Sequence, residues 1–258
     1  MNKPLLGLIL LLFSVTALTA EPCPIQGTPE PARVAHVYDA DTLTLQGGQR
    51  VRLLGIDAPE LGRGGQAHEP FALEGRDFLR AQIAAADHQI EIHSGDDPRD
   101  RHGRRLAWLF LPDGTNLQRL LVEQGYAMQV VIGPNTAYSA CIADAEARAR
   151  QARRGIWSRS EYAQGWQSTA LTAEAQGAIR LSGEVVRVGE SRDNLWINLA
   201  GRVALQLPKA DLATFAGWDF DALVGQTVTV RGWLVAESSR HHDWRMRINT
   251  PYAFESRH

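Results

Sequence analysis

The sequence predicts an α+β fold built from two small β-barrels, and the order of its strand and helix patterns is the main reason. Residues 34–38, 42–45 and 50–56 have strand patterns, residues 67–85 carry apolar side chains at helical spacing, and residues 89–93 and 105–110 again have strand patterns. Two helices are expected at 116–124 and 136–153, each ending near a glycine. This order predicts a five-stranded barrel with packed helices and not a parallel sheet.

A second barrel is predicted within residues 174–258. Strand patterns cover 180–188, 195–199 and 203–207, a short helix is expected at 208–216, and two more strands at 227–236 and 244–249. Three strands, a helix and two strands are the order of a five-stranded Greek-key barrel of the OB type. The polar and small residues 160–173 are expected to form a linker after a first domain at 33–159.

Composition limits the possible function classes. The chain has 258 residues, 44% of them hydrophobic and 22% charged, with a formal net charge of -2. This balance excludes wholesale disorder, and it excludes a strongly basic protein that coats nucleic acid by bulk charge. Lys3 and Lys209 are the only lysines, so nearly all positive charge is arginine, whose planar fork suits bidentate binding of phosphate.

Residues 1–20 have the pattern of a secretory signal peptide. Lys3 supplies a positive start, residues 5–18 an apolar stretch, and Ala17 and Ala20 are small residues near a cleavage site. The apolar stretch is shorter than the roughly 20 residues of a membrane-spanning helix, although an uncleaved anchor is the alternative. We therefore expect an exported protein, periplasmic or secreted, without a stable membrane span, whose N-terminal arm covers residues 21–32.

The two cysteines are the next feature with a structural implication. In an oxidising compartment Cys23 and Cys141 are expected to form a disulfide. The alternative is two unpaired thiols, one in a helix and one on a loose arm. Neither lies in a motif that would activate it as a nucleophile.

Three short stretches combine acids and arginines in the way that phosphodiester hydrolysis requires. They are Asp39-Ala40-Asp41-Thr42, the run from Arg52 to Glu60, and the run from Asp100 to Arg105. Carboxylates on separate strands can bind Ca²⁺, arginines can stabilise charge that grows on a phosphate, and a further carboxylate can orient or deprotonate water. Each stretch alone is typical of a solvated surface, so the combination carries the argument.

In order, these stretches make the chain resemble the staphylococcal nuclease-like (thermonuclease) family. The matching motifs are VYDADTLTL at 37–45, VRLLGIDAPE at 51–60, DRHGRRLA at 100–107, NLQRLLVEQGYA at 116–127 and RGIW at 154–157. The resemblance covers about residues 33–159, half of the chain, and it implies that the first barrel is OB-like. It also implies Ca²⁺-dependent hydrolysis of DNA and RNA, with single strands favoured and 3′-phosphates as products.

The resemblance further implies a role for each matching residue. Asp41, Asp57 and the main-chain carbonyl of Ala58 would hold Ca²⁺, and Glu60 would act on the attacking water. Arg52 and Arg104 would clamp the phosphate. Asp39 would support the metal ligands from outside.

Two positions depart from the family pattern. Family tyrosines that contact the nucleotide are replaced by His102 and, near the stretch after the middle helix, by Val130. His102 can still stack or donate to phosphate, whereas the side chain of Val130 cannot form hydrogen bonds. The alternative from another class is a non-catalytic nucleic-acid-binding or scaffold protein on the same fold, because the family includes inactive copies. The intact acids and arginines favour the enzyme.

The second barrel has two interpretations. Trp196 and the arginines around residues 240–247 would suit single-stranded nucleic acid, which binds by stacking and charge. In the other interpretation Trp196 and Trp233 fill the barrel core and the charges are solvated.

Overall fold

The computed structural model describes residues 23–255, so the predicted signal peptide lies outside the described residues. The first barrel is closed, in the order β1-β2-β3-β6-β5, and β3 runs parallel to β6 while the other pairs are antiparallel. Its strands are β1 (Glu30–Val37), β2 (Thr42–Leu45), β3 (Arg50–Leu53), β5 (Gln89–Arg99) and β6 (Arg105–Phe110). The α+β class and the OB-like barrel are confirmed.

Alternation of side chains explains why these strands form a closed barrel with a filled interior. In β3, Val51 and Leu53 are buried while Arg52 lies between them on the other face. The barrel interior and the helix packing around it bury large apolar side chains, which supply most of the driving force for folding. They include Leu43, Leu53, Leu79, Ile90, Trp108 and Phe110.

Three helices pack on this barrel, and their ends differ from the predicted ones. α1 (Ala72–Ala85) begins later than the predicted residue 67, because Pro70 and a left-handed Phe71 with φ 70° interrupt the helix there. α2 (Leu117–Glu123) is capped by Asn116, whose side chain accepts from the Arg119 N–H at 2.8 Å. α3 (Ser139–Gln151) is shorter than the predicted 136–153.

The predicted strand 50–56 is two elements separated by a bend at Gly55. β4 (Ile56–Asp57) leaves the barrel and pairs with β7 (Met128–Gln129). Gly55 has φ +73°, and an added Cβ would lie 2.5 Å from the Trp108 ring. Glycine is therefore required for both the backbone conformation and the close approach of the indole. After the bend, Asp57 lies in the β4–β7 pair and outside the barrel strands.

The second barrel has the strand order β10-β11-β13-β12-β9 and closes through a β9–β10 pairing. Its strands are β9 (Gly177–Glu190), β10 (Asn194–Leu199), β11 (Val203–Pro208), β12 (Thr227–Ala236) and β13 (Trp244–Arg247). The parallel pairing of β11 with β13 completes the OB-type topology, which is confirmed. The predicted short helix at 208–216 is a 3₁₀ helix, Lys209–Phe215.

The segment predicted to be a linker, 160–173, contains regular structure. α4 (Ser160–Gln164) is followed by β8 (Trp166–Gln167), which pairs parallel to β9. At the other end, β1 begins at Glu30, inside the segment predicted to be an N-terminal arm. The two barrels are therefore joined by ordered chain, and the domain limits of the sequence analysis stay a prediction.

Cys23 and Cys141 form a disulfide that ties the start of the described chain to α3, with their Cα atoms 5.7 Å apart. The Tyr138 hydroxyl accepts from the Gln26 N–H at 2.9 Å beside this bond. No helix among residues 23–255 is both long and apolar enough to cross a membrane.

Candidate active site

The backbone of the first barrel brings the acidic turn 39–41 beside the strand that carries Arg52. Thr42 pairs with Arg52 across β2 and β3, and the Leu53 N–H donates to the Asp41 carbonyl at 2.8 Å. Since Arg52 alternates with the buried Val51 and Leu53, its side chain leaves the barrel wall on the same side as the acids. The pairing register therefore sets which charges meet.

One guanidinium bridges two carboxylates at this position. Arg52 Nη1 lies 2.9 Å from Asp41 Oδ2, and Arg52 Nη2 lies 2.6 Å from Asp57 Oδ1. Arg52 Nη1 also donates to the Leu53 carbonyl at 3.0 Å. The Asp41 side chain is 5% exposed and that of Arg52 16%, so both ion pairs are shielded from solvent. The geometry fixes Asp41 and Asp57 close to one another.

Further hydrogen bonds hold the side chains of Asp41 and Asp39 in place. Asp41 Oδ2 accepts from the Ala58 N–H at 2.9 Å, and Asp41 Oδ1 accepts from the Thr42 hydroxyl at 3.0 Å. Asp39 Oδ1 accepts from the Asp41 N–H at 3.1 Å. The Ala58 contact connects the turn at 39–41 directly to the chain that follows β4.

Glu60 follows this segment and is held by its partner Glu69, which the sequence analysis did not identify. The Glu60 N–H donates to Glu69 Oε2 at 2.9 Å, and the Glu69 N–H donates to the Glu60 carbonyl at 3.0 Å. This reciprocal pair closes the loop that precedes α1. Asp57, Ala58 and Glu60 all line one cleft, with the Glu60 side chain on its exposed side.

The accumulated acids change the proton affinity of the site. Burial, and then the negative charge of Asp41, raise the pKa of Asp39 to about 7. Burial also raises the pKa of Asp57 to about 7, against the lowering effect of Arg52. Partial loss of hydration and the Asp41 charge raise the pKa of Glu60. Four carboxylates share one guanidinium, so the site is stabilised by gaining a proton or a cation.

The pKa of Arg52 responds in the opposite sense. Burial lowers the pKa of the guanidinium, but the charges of Asp41, Asp57, Asp39 and Glu60 outweigh that effect and raise it. Arg52 therefore stays protonated, and it remains available as a permanent positive charge.

The residues present fit a hard cation that takes oxygen ligands. Asp41 and Asp57 offer carboxylate oxygens and Ala58 a main-chain carbonyl, which together with water molecules are ligands that Ca²⁺ accepts. Within residues 23–255, no group of three or more His, Cys, Asp or Glu side chains is placed to hold a metal ion. A cation here would therefore depend on the main-chain oxygen and on water as well as on the two carboxylates.

Arg104 lies on the neighbouring strand end but has a different partner. Its Nε donates to Asp100 Oδ2 at 2.5 Å, and its N–H donates to Asp100 Oδ1 at 2.9 Å. The parallel register pairs Leu106 with Arg52, and Arg104 is the residue that immediately precedes β6. In the described chain Arg104 thus pairs with Asp100 and lines a cavity separate from the cleft that contains Asp57 and Glu60.

The two residues that depart from the family pattern, His102 and Val130, differ in their exposure. His102 is exposed, its N–H donates to Asp100 Oδ1 at 2.9 Å, and it lines a shallow cavity with Arg50 and Arg104. Although burial raises the pKa of Asp100, the hydrogen bonds from Arg104 and His102 lower it overall. Val130 is buried, and its N–H donates to the Gly55 carbonyl at 3.0 Å. Val130 is therefore part of the packing behind the site.

The connecting segment 160–173 and the second barrel contribute residues to the cleft that the sequence analysis did not connect with it. Tyr162, Trp166 and Trp233 line the wall opposite Asp57 and Glu60. Burial, followed by the charges of Glu69, Glu161 and Asp57, raises the pKa of the Tyr162 phenol to about 12. The expectation that Trp233 fills the barrel core is wrong, because its side chain is 46% exposed on the outer face of β12. No sequence motif marks this juxtaposition.

Comparison with known proteins agrees with this geometry. The model of the family described as staphylococcal nuclease homologue matches residues 50–159. A thermonuclease of Staphylococcus intermedius is 29% identical over 130 residues, which cover 49% of this chain and 75% of the relative. A protein of Escherichia coli O157:H7 named uncharacterized endonuclease is 30% identical over 162 residues, which cover 62% of this chain and 92% of the relative.

A third relative extends the same similarity to another genus. The endonuclease YncB of Bacillus subtilis is 30% identical over 128 residues, covering 48% of this chain and 60% of the relative. The family match includes Arg52, Asp57, Glu60 and Arg104, whereas it ends before α4 and the second barrel.

Proposed function

Because the chain belongs to the staphylococcal nuclease homologues, we propose that it is an exported Ca²⁺-dependent nuclease that hydrolyses the phosphodiester bonds of DNA and RNA. The observation that carries the proposal is the Arg52 guanidinium bridging Asp41 and Asp57, together with Glu60, which lines the same cleft as Asp57. A permanent positive charge among surplus carboxylates is an arrangement that can hold a cation and a phosphate together.

The cation would be held by Asp41, Asp57 and the carbonyl oxygen of Ala58. When bound, Ca²⁺ supplies positive charge that neutralises phosphate oxygens. The raised pKa values of Asp39 and Asp57, which burial causes first and neighbouring carboxylates increase, support this assignment because a bound cation would favour the charged form of both acids. Asp39 orients Asp41 through its N–H and acts as a positioning residue.

Glu60 is the proposed base that orients and deprotonates the attacking water. Glu60 is an exposed residue that lines the cleft, and its main chain is fixed by Glu69. Loss of hydration raises its pKa, and a base works best when its pKa approaches the pH at which the enzyme operates. The proton of the water passes to the Glu60 carboxylate as the oxygen attacks phosphorus.

Arg52 and Arg104 are proposed to stabilise the negative charge that grows on the phosphate. Arg52 is already aimed at the site, whereas Arg104 must exchange Asp100 for a phosphate oxygen. Cleavage of the bond to the 5′ oxygen then leaves a 3′-phosphate, and the departing oxygen takes a proton from solvent to become a 5′-hydroxyl. His102, which lies beside Arg104, is a weaker candidate for contact with the substrate.

The test is digestion of single-stranded DNA and RNA by the mature protein, with Ca²⁺ or with EDTA. Glu60→Gln should reduce turnover by at least about a hundredfold, the usual contribution of a general base. Glu74→Gln, an acid in the first turn of α1, is the matched control and should leave turnover unchanged.

Two outcomes would contradict the proposal. Cleavage that persists in EDTA would remove the cation from the mechanism, and wild-type turnover of Glu60→Gln would remove Glu60. Binding of DNA without cleavage in any divalent ion would instead identify a non-catalytic nucleic-acid-binding protein. Export is tested by detecting the mature protein in the periplasm or in the medium. N-terminal sequencing then checks whether residues 1–20 have been removed.

A further inference from the structure

A cleft of about 640 Å³ connects the candidate active site with the second barrel. One wall contains Asp57, Ala58 and Glu60, and the opposite wall comes from α4, β8, β9 and β12. The volume lies within the range of roughly 300–1,000 Å³ that is typical of small-molecule sites. The cleft is therefore large enough for a group attached to the reacting phosphate.

Three aromatic side chains line the second wall; Tyr162 and Trp166 each pack on an apolar cluster on one side, whereas Trp233 is the most exposed of the three. Trp233 is 46% exposed, and Tyr162 and Trp166 are partly exposed in the same cleft. Ring contacts among the described residues involve none of these three side chains, in contrast to Trp108, Trp196 and Trp218, which contact other rings. Every nucleobase has a π-face that stacks on such side chains.

The negative charge of the cleft favours a base over a phosphate as the ligand. Glu60, Glu69, Glu161 and Glu174 all line it, and these carboxylates repel phosphate. Arg180 is the single cation among the described lining residues, and its Nε and Nη2 are held by Glu255 at 2.7 and 2.8 Å. Carboxylates do accept hydrogen bonds from the amino groups on base edges. The cleft therefore suits a neutral, planar group with N–H donors.

We propose that this cleft binds an unpaired nucleobase next to the scissile phosphate, stacked on Trp233 and Tyr162, while the phosphate stays at Arg52. The proposal rests on the nuclease function proposed above and deepens it, because it makes the second barrel part of the substrate site. It also accounts for a preference for single strands. A base in a duplex reaches such a pocket only after leaving the stack.

Binding of a ten-residue single-stranded deoxycytidine oligonucleotide, measured by fluorescence anisotropy with Ca²⁺, tests the proposal. All proteins carry Glu60→Gln so that the strand stays intact, and a strand of the same length with abasic sites serves as the second ligand. Trp233→Ala should weaken binding of the deoxycytidine strand at least fivefold and change binding of the abasic strand less than twofold. Trp233→Phe, which keeps a π-face, should restore most of the affinity.

The matched control is Val186→Ala, since Val186 is an exposed apolar residue on β9 of the same barrel and lies outside the cleft. It should leave both affinities unchanged, and melting curves confirm that each variant is folded. Equal weakening on both strands, or wild-type affinity of Trp233→Ala, would overturn the proposal. Binding is measured separately from turnover, so the two proposals can fail separately. If the wild type cleaves nucleic acid and Trp233→Ala binds with wild-type affinity, only the base site is rejected. If the wild type does not cleave, the proposed function is rejected.

Discussion

The Arg231 guanidinium on β12 contacts the Glu146 carboxylate on α3, and this ion pair joins the second barrel to the first in the interior of their interface. The Glu146 side chain is 1% exposed and that of Arg231 is 10% exposed. Glu255 extends the pair into a network, because it lies 3.0 Å from Arg231 and 3.0 Å from Arg150. The network fixes the two walls of the cleft relative to one another.

Arg231→Met should destabilise the protein by about 3–5 kcal/mol, because it leaves the buried Glu146 carboxylate without its counter-charge. Urea unfolding followed by circular dichroism measures this loss. The control is Arg202→Met, since Arg202 pairs with Asp243 at side-chain exposures of 50% and 46%. An exposed pair contributes below about 1 kcal/mol, so equal losses in the two variants would contradict the interpretation.

The acidic cluster predicts a stability that falls as pH rises. In the folded protein the pKa values of Asp39 and Asp57 are raised to about 7 by burial, whereas the unfolded values lie near 4. The folded state therefore binds more protons in this interval, and stability is lost between about pH 4 and pH 7. The melting temperature in EDTA should decrease from about pH 5 to about pH 8, and Ca²⁺ should restore more of it at the higher pH.

The control for this pH dependence is Asp39→Asn, which should flatten the profile because one of the two titrating acids is removed. Glu255 does not interfere in this interval. Although burial raises its pKa, the hydrogen bond from Arg180 and the charges of Arg231 and Arg150 lower it to about 2. The stability that the ionised Glu255 contributes is lost only as pH falls below about 4.5. A flat wild-type profile above pH 5 would reject the assignment.

The disulfide between Cys23 and Cys141 is predicted to contribute to stability through the long segment that it closes. The two residues are 118 positions apart, and in the chain-entropy model a loop of this size stabilises by about 4–5 kcal/mol. Reduction should lower the urea midpoint of the wild type. The Cys23→Ser/Cys141→Ser double variant should show the lower midpoint with or without reductant, and an unchanged midpoint after verified reduction would reject the prediction.

Local patterns predicted the order of the barrel strands, whereas tertiary pairing decided where the strand predicted at 50–56 divides and that the segment predicted as a linker pairs with β9. The assignment of the residues from Asp41 to Glu60 came from motif order and stays a prediction. The exposure of Trp233 was not predicted, because an aromatic on a strand has the same pattern on either face. Glu69 and Tyr162 reach the site through tertiary contacts that no spacing in the sequence encodes.

Gly55→Ala should reduce both stability and activity, because the bend at Gly55 carries Asp57 to Arg52. An added Cβ meets the Trp108 ring at 2.5 Å, and φ is +73°. Gly114→Ala is the control, since Gly114 has φ +90° with nothing within 4 Å of an added Cβ. It isolates the backbone strain, which costs about 1 kcal/mol. We expect a larger loss in Gly55→Ala, measured by urea unfolding, and a lower Ca²⁺ affinity measured by calorimetry.

The ion pair with Asp100 predicts how readily Arg104, the second arginine proposed to bind the phosphate, becomes available to the substrate. Arg104→Ala should lower kcat by roughly 10²–10³-fold, since a donor aimed at transition-state charge is removed. Asp100→Asn keeps the hydrogen-bonding oxygen but removes the charge that competes with phosphate for Arg104. This variant should retain most of kcat and lower KM, whereas Arg101→Ala, on the same turn, should change neither. Equal loss of kcat in Asp100→Asn and Arg104→Ala would show that the pair is needed intact and that Arg104 does not move to the phosphate.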